Sequence, residues 1–513
     1  MDHSETILVL DFGSQYTQLI TRRCREEGVF SVIGRYDMPI DEIRQLNPIG
    51  IVLSGGPRSI YDENAPYRWD DLASLKIPIL GICYGMQIMI RAFNGDVVSS
   101  HKREYGRATI TFRGNSRLLK GLSESELVWM SHGDQVVSLP NDWHSVAISN
   151  SEIIAAIENP TLRLYGVQFH PEVSHTPSGD VMLRNFLYDI CEASGGWNMG
   201  TFVSQTIEEI RSIVGNEKVI CAFSGGVDSS VAATLMHSAI GDQLKCILVD
   251  HGLMRYREAQ RIEEVFHPRF GDILDIVQAG DRFLDALENI EDPEKKRIII
   301  GHNFIDVFRE EAKKFSDAKF LLQGTLYPDV IESSGTRGTA DVIKTHHNVG
   351  GLPEILGLDL IEPLRELFKD EVRQVGRELG LPEAILMRHP FPGPGLAVRI
   401  LGAVTRDKVR MLQEADEIFI EELKASGWYE KVSQALVVLL PVKTVGVMGD
   451  ARTYEYVAAL RSVDTKDFMT ADFSQIPYEI LARIASRIAN EVRGINRVVY
   501  DITSKPPSTI EWE

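Results

Sequence analysis

A short loop rich in glycine and serine limits the possible folds of this chain more than any other stretch. It follows the short apolar segment 219–223, which has the composition of a buried parallel strand. It precedes segment 231–240, whose apolar residues recur at helical spacing. A strand–loop–helix unit is therefore predicted, and the loop consists of Ser224, Gly225, Gly226, Val227, Asp228, Ser229 and Ser230. Glycine lets the backbone approach a ligand, and free N–H groups at a helix start attract an anion, so the pattern predicts a phosphate-binding loop.

This loop differs from the most common phosphate-binding loop. A GxxxxGK[ST] sequence occurs nowhere in the chain, and no lysine follows the glycines. Such a loop suits a pyrophosphate group better than a transferred γ-phosphate, and an ordinary strand–helix turn is the alternative interpretation. The pattern SGGVDS resembles the PP-loop of the ATP pyrophosphatases, which cleave ATP between the α and β phosphates. The resemblance implies that Asp228 faces a Mg²⁺ ion that bridges the phosphates, since this ion prefers oxygen ligands.

Length, composition and charge narrow the class of protein. With 513 residues, about two to four domains are expected. No apolar run has the length of a membrane span, and the acidic N-terminus lacks the features of a secretion signal. The five cysteines are scattered without a CxxC pair, which favours a reducing cytoplasm. The net charge of −19 disfavours a nucleic-acid surface, so we expect a cytoplasmic protein with small-molecule partners and neither nucleic acid nor membrane among them.

The first part of the chain alternates β-rich segments with helical patterns. Segments 7–11, 51–54 and 79–83 are short and apolar, which predicts an α/β domain with a largely parallel sheet. Chemistry in such sheets lies at the carboxyl ends of the strands. Cys83 lies at one such end, flanked by glycines and followed by the helical segment 86–93. This pattern is typical of a nucleophile elbow with cysteine in place of serine, and the helix start favours the thiolate.

A cysteine nucleophile needs a base, and the base needs an acceptor that orients it. His170 and Glu172 follow a strand-like segment and supply both. Backbone N–H groups at a strand end form an oxyanion hole, and those of Gly56 and Tyr84 are the candidates. Ser131 and His132 are predicted to lie in a polar turn, within residues 129–134.

Each of these features has a structural alternative: an inert buried cysteine, a surface His-Pro-Glu turn, or a structural His132. Together, however, GxCxG at 81–85, HPE at 170–172 and SGGP at 54–57 resemble the class I (triad) glutamine amidotransferase domain. The resemblance implies that Cys83 attacks the amide of glutamine. It implies that His170 protonates the leaving ammonia and then activates water, while Glu172 orients His170. It also implies that Gln87, Ser131 and His132 hold the glutamine.

Composition alone does not decide the role of two stretches in the second part of the chain. The charged residues 294–297 form either a solvated helix face or part of a nucleotide site. Residues 344–353 contain adjacent histidines without a third metal ligand spaced beside them. A mobile lid with glycine hinges is the preferred interpretation of that segment.

Five stretches in the rest of the chain identify a family. They are QGTLYPD at 323–329, KTHHNVGGLP at 344–353, HPFPGPGLAVR at 389–399, the block 452–473 and KPPSTIEWE at 505–513. Together they resemble the glutamine-hydrolysing GMP synthetases from end to end, although Ala451 and Glu455 stand where glycine and aspartate are expected. The resemblance implies three parts: a glutaminase domain at 1–195, a PP-loop domain with a parallel sheet at 196–389, and a small α+β dimerisation and nucleotide-binding domain at 390–513.

The resemblance also implies a reaction. ATP transfers AMP to O2 of xanthosine 5′-monophosphate (XMP), releasing pyrophosphate, with Mg²⁺ bound to the ATP. Ammonia freed from glutamine at Cys83 then displaces AMP and leaves the 2-amino group of GMP. Free ammonia is mostly protonated at neutral pH, which is a physical reason to join and shield the two reactions. The implied XMP-binding residues are Arg297, Lys505, Thr509 and Glu511, and a homodimer through the last domain is implied.

Other enzyme classes fit the residues less well. Asparagine synthetase also has an SGGxDS loop but uses an N-terminal cysteine, and positions 2 and 3 here are Asp and His. CTP synthetase needs a GKT-type loop and places its triad domain last. A sulfur-transferring tRNA enzyme needs a cysteine pair and a basic surface. A non-catalytic regulatory protein on this scaffold would be expected to have lost part of the triad or of the loop.

Overall fold

The computed structural model describes residues 5–56, 59–69, 71–333, 357–448, 451–465, 468 and 470–513. The described residues form two compact units, one that ends at Phe202 and one that begins at Val203. The division falls inside a helix, a few residues after the predicted boundary at 195. The second unit contains both predicted C-terminal domains, so the boundaries at 195 and 389 stay predictions.

A nine-stranded mixed sheet forms the centre of the first unit, in the order β2-β1-β3-β4-β9-β8-β7-β5-β6. Strands β2, β1, β3, β4 and β9 are parallel, and the remaining pairs are antiparallel. The strands are β1 (Thr6–Asp11), β2 (Phe30–Arg35), β3 (Gly50–Leu53), β4 (Ile79–Ile82), β5 (Asp96–Phe112), β6 (Ser125–Ser138), β7 (His144–Ser149), β8 (Ile154–Asn159) and β9 (Leu164–Val167). The helices are α1 (Thr17–Glu26), α2 (Ile40–Leu46), α3 (Tyr84–Ala92) and α4 (Gly179–Arg184), with a 3₁₀ turn at Leu72–Leu75 and a π-helical turn at Asn185–Ile190.

The parallel strands are buried on both faces. Ile7 and Val9 of β1 enter one core, while Leu8 and Leu10 enter a second core on the other face. This explains why β1 is apolar at successive positions, since a sheet covered by helices on both sides has no solvent face. The predicted α/β fold of the first part is thereby confirmed, but the sheet is mixed rather than largely parallel, because strands β5 to β8 pair antiparallel.

Residues 129–134, predicted to form a polar turn, instead lie inside strand β6, so this prediction is wrong. Strand β6 pairs with β5, with His132 opposite Glu104 and Ser131 opposite Tyr105. Its buried positions alternate along the strand, as the period of two requires. Polar residues fit this strand because the strand passes beside Cys83 rather than lying wholly in an apolar core.

A five-stranded parallel sheet opens the second unit, in the order β12-β11-β10-β13-β14. Its strands are β10 (Lys218–Ala222), β11 (Leu244–Asp250), β12 (Leu274–Gln278), β13 (Ala318–Leu322) and β14 (Asp359–Ile361). The accompanying helices are α5 (Met199–Val214, which spans the division), α6 (Val227–Ile240), α7 (Glu258–Phe270), α8 (Gly280–Ala286), α9 (Pro293–Ala312), α10 (Tyr327–Ser333), α11 (Lys369–Glu378) and α12 (Glu383–Leu386), with 3₁₀ turns at Gly241–Gln243, Gly271–Ile273 and Lys313–Phe315. The predicted strand–loop–helix unit is confirmed as β10 and α6.

A four-stranded sheet forms the last part of the second unit, where β16 pairs antiparallel with β15 and β17 and parallel with β18. The elements are a 3₁₀ turn at Gly395–Arg399, α13 (Arg406–Ala425), β15 (Gln434–Met448), β16 (Ala451–Asp464), β17 (Asp472–Phe473), α14 (Tyr478–Glu491) and β18 (Ile495–Asp501). Residues 436–439 of β15 are fully buried, because their two faces enter different cores. In the described part of the chain, no helix combines the length and apolar character needed to cross a membrane.

Candidate functional site

Cys83 occupies the sharp turn between β4 and α3. Its φ of 51° and ψ of −103° lie outside the regions that most non-glycine residues adopt. Its N–H donates to the carbonyl of Val167 on β9 at 2.7 Å, which fixes the turn against the neighbouring strand. The backbone strain and the position at the end of a parallel strand are typical of a nucleophile elbow, as the sequence predicted.

The glycines that flank Cys83 are required by close packing. A Cβ atom on Gly81 would lie 2.6 Å from the backbone carbon of Gly85. A Cβ atom on Gly85 would collide with the carbonyl oxygen of Leu53 and lie 2.9 Å from its carbonyl carbon. These neighbours are backbone atoms, so they cannot move without shifting strand β3 or the start of α3.

Replacing Gly85 with alanine is therefore expected to displace the elbow. The overpacking costs about 1–3 kcal/mol of unfolding free energy and should also reduce glutamine hydrolysis. Thermal unfolding and glutaminase assays measure the two effects. Gly301→Ala is the matched control, because a Cβ atom there meets open space. Equal unfolding temperatures and equal glutaminase rates of the two variants would contradict the packing argument.

His170 and Glu172 form a buried pair beside the elbow. His170 Nδ1 lies 2.7 Å from Glu172 Oε1, and the two residues are 3% and 0% exposed. The hydroxyl of Thr176 donates to the His170 carbonyl at 2.6 Å, and the ring of Tyr16 packs edge-on against the imidazole. Cys83 lies close enough to His170 to raise the pKa of the imidazole. The structure thus brings together the three predicted members of a cysteine–histidine–glutamate triad.

The pKa of His170 is raised well above its usual value. Burial by itself lowers this pKa, but the carboxylate of Glu172 and the nearby Cys83 together outweigh burial. The raised pKa favours the imidazolium form of His170, which holds a proton ready for a leaving group.

Replacing Glu172 with glutamine is expected to lower the kcat of glutamine hydrolysis by about 10²–10⁴-fold with little change in KM. Without the carboxylate the pKa of His170 falls, so the proton donor is lost at a lower pH. The alkaline limb of the kcat–pH profile should therefore move to lower pH. A profile that keeps the wild-type alkaline limb would show that Glu172 does not control the protonation of His170.

A pair of buried amides extends from the thiol into the domain. Gln168 Nε2 lies 3.5 Å from Cys83 Sγ, and Gln87 Nε2 donates to Gln168 Oε1 at 3.3 Å. Gln87 also donates to the carbonyl of Asp134 on β6 at 3.1 Å. Gln87 was predicted from the resemblance, whereas Gln168 was missed. The sequence could have indicated Gln168 as a site residue, because it lies at the end of a strand and two residues before His170.

Ser131 and His132 line the same place from strand β6. The Ser131 carbonyl lies 3.7 Å from Cys83 Sγ, and His132 Nδ1 lies 3.0 Å from the carbonyl of Asp134. The other ring nitrogen of His132 lies 3.5 Å from Oε2 of Glu104, a half-buried neighbour that was not predicted from the sequence. Burial lowers the pKa of His132, so its ring is neutral at pH 7.

The proposed oxyanion-hole glycine packs against the residue that follows Cys83. A Cβ atom on Gly56 would lie 3.1 Å from both the ring of Tyr84 and the carbonyl of Phe12. A Cβ atom on the preceding Gly55 would lie 3.2 Å from Cε1 of His170. The two glycines therefore bring this segment of backbone close to the imidazole and to the elbow, where a side chain would crowd the site.

The phosphate-loop candidate lies between β10 and α6 in the second unit. Gly225 has a φ of 69°, and a Cβ atom there would collide with the side chain of Ile262. Gly226 N–H donates to Ser224 Oγ at 3.2 Å, and Ser224 Oγ lies 2.8 Å from Ser229 Oγ. The hydroxyl groups and the helix start therefore face one concave turn, which suits phosphate oxygens.

Lys369, at the start of helix α11, pairs with the loop from 141 positions away. Its Nζ lies 2.5 and 2.6 Å from the two carboxylate oxygens of Asp228. Both side chains are partly exposed, at 42% and 32%. The loop sequence lacks the lysine of a common phosphate loop, and the fold supplies one from a distant helix. Sequence analysis missed Lys369 because no local pattern links it to the loop.

The four residues predicted to bind XMP lie near or in the chain end. Arg297 Nη2 donates to the carbonyl of Glu513 at 2.6 Å, and Lys505 Nζ donates to the carbonyl of Phe468 at 2.7 Å. Thr509 Oγ1 donates to the carbonyl of Glu511. These last residues are thus held by hydrogen bonds, one of which comes from Arg297 on helix α9.

The carboxylate of Glu511 is held by a buried guanidinium. Arg399, which is 0% exposed, donates to the two carboxylate oxygens at 2.8 and 3.0 Å, and Gln434 Nε2 adds a third bond at 2.9 Å. Lys296 is also fully buried, and it donates to Glu513 Oε2 and to the carbonyls of Ala397 and Ile400. The interpretation of residues 294–297 as a solvated helix face is therefore wrong for Lys296.

Two predictions concern metal ions and a lid. Among the described residues, no group of three or more His, Cys, Asp or Glu side chains is arranged to hold a metal ion. The lid proposed at 344–353, with its adjacent histidines, lies outside the described residues.

Comparison with known proteins agrees with both sites. Residues 8–190 match the family model of the class-I glutamine amidotransferases. Residues 217–267 match the model of the tRNA methyl transferase HUP domain, and residues 421–512 match the model of the GMP synthase C terminal domain. The chain is 56% identical to the glutamine-hydrolysing GMP synthase of Aquifex aeolicus over 507 residues, and 56% identical to that of Carboxydothermus hydrogenoformans over 507 residues. It is 54% identical to the enzyme of Brachyspira hyodysenteriae over 509 residues. In all three comparisons 99% of each chain is covered. With an amidotransferase elbow in one unit, a phosphate loop in the other and relatives of this similarity along its whole length, the chain belongs to the glutamine-hydrolysing GMP synthase family.

Proposed function

We propose that the protein makes GMP by ATP-dependent amination of XMP, with ammonia from glutamine, and releases glutamate, AMP and pyrophosphate. The observation that supports the proposal is that one chain contains both a candidate triad and a candidate phosphate loop. One site presents a triad of Cys83, His170 and Glu172 for acyl transfer. The other presents a phosphate loop with an acidic and a basic residue, Asp228 and Lys369, at its edge.

In the first site, the thiolate of Cys83 attacks the side-chain amide carbon of glutamine. The oxyanion that forms accepts hydrogen bonds from backbone N–H groups at Gly56 and Tyr84. His170 gives its proton to the leaving nitrogen, and ammonia departs. The neutral imidazole then takes a proton from water, and the hydroxide attacks the thioester to release glutamate. Glu172 holds the imidazole in place and stabilises its charged form through both steps.

Glutamine is held by the amide and strand residues around the thiol. Gln87 and Gln168 form a buried donor–acceptor chain that reaches the sulfur atom. Ser131 and His132 contribute from β6, and the close contact of Glu104 with His132 fixes the orientation of that ring. His132 is buried, and its ring contacts the carbonyl of Asp134 and the carboxylate of Glu104, so we assign it to binding the glutamine.

In the second site, O2 of XMP attacks the α-phosphorus of ATP, and the bond to the β-phosphate breaks. Residues 224–230 bind the departing pyrophosphate through backbone N–H groups and hydroxyls. Lys369 neutralises part of its charge. Ammonia then attacks C2 of the purine, and AMP leaves with the former O2 atom. Arg297, Lys505, Thr509 and Glu511 remain our candidates for binding XMP.

Mg²⁺ is expected to accompany ATP, and the residues fit it. The carboxylate of Asp228 is a hard oxygen ligand and is partly exposed at the loop. Asp228 would hold the ion, which neutralises phosphate charge when bound. Because Lys369 contacts both oxygens of that carboxylate, its ammonium group must share or leave this position when the ion binds.

Assembly and location are the remaining parts of the proposal. We infer a homodimer through the last part of the second unit and a cytoplasmic location, on the basis of the family and of the free cysteines.

The reaction course can be tested by isotope transfer. XMP labelled with ¹⁸O at O2 should pass the label to AMP, since the oxygen leaves with the adenylyl group. GMP, AMP, pyrophosphate and glutamate should appear in equal amounts with glutamine as donor. Formation of ADP and phosphate in place of AMP and pyrophosphate, or unlabelled AMP, would contradict the proposed intermediate.

A further inference from the structure

One buried guanidinium in the second unit lacks the partners that its burial requires. Arg255 lies between β11 and α7 and is 9% exposed. Its Nε and Nη2 atoms are inaccessible and have no hydrogen-bond partner within the described ranges. Leaving such donors unpaired is costly, because a buried charged group loses its hydration without compensation. The position therefore favours a ligand or another group that accepts from this edge of Arg255.

The surrounding side chains leave that edge unsatisfied. The guanidinium carbon of Arg255 lies 5.0 Å from the ring centre of Phe391, and that of Arg399 lies at the same distance from the same ring. The nearest acid is Asp416, with Oδ2 at 3.5 Å from Arg255 Nε. Its other oxygen accepts from the N–H of Val437 at 3.2 Å and lies 3.9 Å from Arg399. Arg399 is paired with Glu511, so Asp416 serves mainly Arg255, and at 3.5 Å it makes no hydrogen bond with that guanidinium.

A second arginine connects this group to the phosphate loop. Arg388 Nη1 donates to the carbonyl of Gly225 at 2.9 Å, and Arg388 forms an ion pair with Glu258. The N–H of Glu258 donates to the carbonyl of Arg255 at 3.1 Å. Burial and the charge of Arg255 lower the pKa of Arg388 to about 10. Arg255 and Arg388 are therefore close enough for their charges to repel each other.

We propose that Arg255 binds a phosphate group of a nucleotide in the synthetase site, through the Nε–Nη2 edge of its guanidinium. This edge is planar and donates two parallel bonds, the geometry that suits two phosphate oxygens. Arg388 fixes the carbonyl of Gly225 and so sets the shape of the loop beside it. The bound phosphate accepts from the Nε and Nη2 donors that are otherwise without a hydrogen-bond partner.

The phosphate has two possible sources, ATP and XMP. The contact of Arg388 with Gly225 connects the pair of arginines to the loop that we assign to ATP. The ring of Phe391 contacts both Arg255 and Arg399, and Arg399 holds Glu511, one of the candidates for binding XMP. Both are nucleotide phosphates, and the inference rests on the proposed function.

The test measures binding to the full-length protein by calorimetry, with ATP and Mg²⁺, with pyrophosphate and Mg²⁺, and with XMP as separate probes. We expect Arg255→Met to weaken one nucleotide at least tenfold. Weaker ATP and pyrophosphate binding would assign Arg255 to ATP, and weaker XMP binding would assign it to XMP. Arg255→Lys should restore only part of the affinity, because lysine keeps the charge and loses the paired donors.

Arg261→Met is the matched control, since Arg261 lies on the same helix α7 in an exposed ion pair with Glu417. Thermal unfolding without ligand reports any structural role of Arg255. If Arg255→Met binds all three probes within twofold of wild type, the inference is overturned and Arg255 is a structural residue. If Arg255→Met does not fold, the binding of the three probes is measured with Arg255→Lys instead, and affinities within twofold of wild type again overturn the inference. Failure of the wild type to bind ATP or XMP would instead overturn the proposed function.

Discussion

Replacing Cys83 with alanine is expected to reduce glutamine-dependent GMP formation by about 10⁴-fold or more, because the nucleophile of the first site is lost. Ammonium-dependent formation of GMP should stay near the wild-type rate, since the phosphate loop and its partners lie in the other unit. The assay compares glutamine and ammonium as donors at saturating XMP, ATP and Mg²⁺. Alanine is the suitable replacement because it fills the turn without a reactive atom.

Cys191→Ala is the matched control for this experiment. Cys191 is also a buried cysteine of the first unit, and burial raises the pKa of its thiol well above the usual range, so it is inert. This variant should keep both activities. A Cys83→Ala protein that still uses glutamine would show that another group is the nucleophile, whereas loss of the ammonium reaction as well would show that the elbow also supports the second site.

Replacing Lys369 with methionine is expected to reduce GMP formation from both donors by about 10²–10³-fold. The ammonium group lies at the loop and is expected to stabilise charge that develops on the phosphates, an effect of this size in comparable sites. Asp228→Asn should cause a similar loss, and it should also weaken the dependence on Mg²⁺. Release of pyrophosphate in the presence of XMP measures the adenylation step by itself.

The control for this pair is Lys314→Met, which removes an exposed lysine paired with Glu311 on the same unit. It should leave the adenylation rate unchanged. If Lys369→Met adenylates XMP at the wild-type rate, the lysine serves only to neutralise Asp228 and not the nucleotide. The double variant Lys369→Met with Asp228→Asn would then be more stable than either single variant, because no unpaired charge remains at the loop.

Motifs made of neighbouring residues could be predicted from the sequence. Cys83 and its glycines, the pair of His170 and Glu172, and the loop 224–230 each lie within a few positions, so their local conformation follows from strand ends, helix starts and glycine. The same holds for the parallel strands, whose apolar runs indicate burial on both faces. The error at residues 129–134 arose because polar residues and a glycine favour a turn in isolation. Pairing with β5 overrides that preference.

Residues that reach a site from a distance could not be predicted in this way. Lys369 is 141 positions from Asp228, Gln168 is 85 from Cys83, and Arg399 is 112 from Glu511. None of them carries a local pattern, because a lysine or glutamine on a helix or strand is ordinarily a surface or core residue. The sequence by itself determined which chemistry each unit contains, since the reactive groups and their backbone turns are encoded together. The tertiary structure decided which distant charges and amides complete each site, because crossover connections in parallel sheets bring together side chains whose separation along the chain is arbitrary.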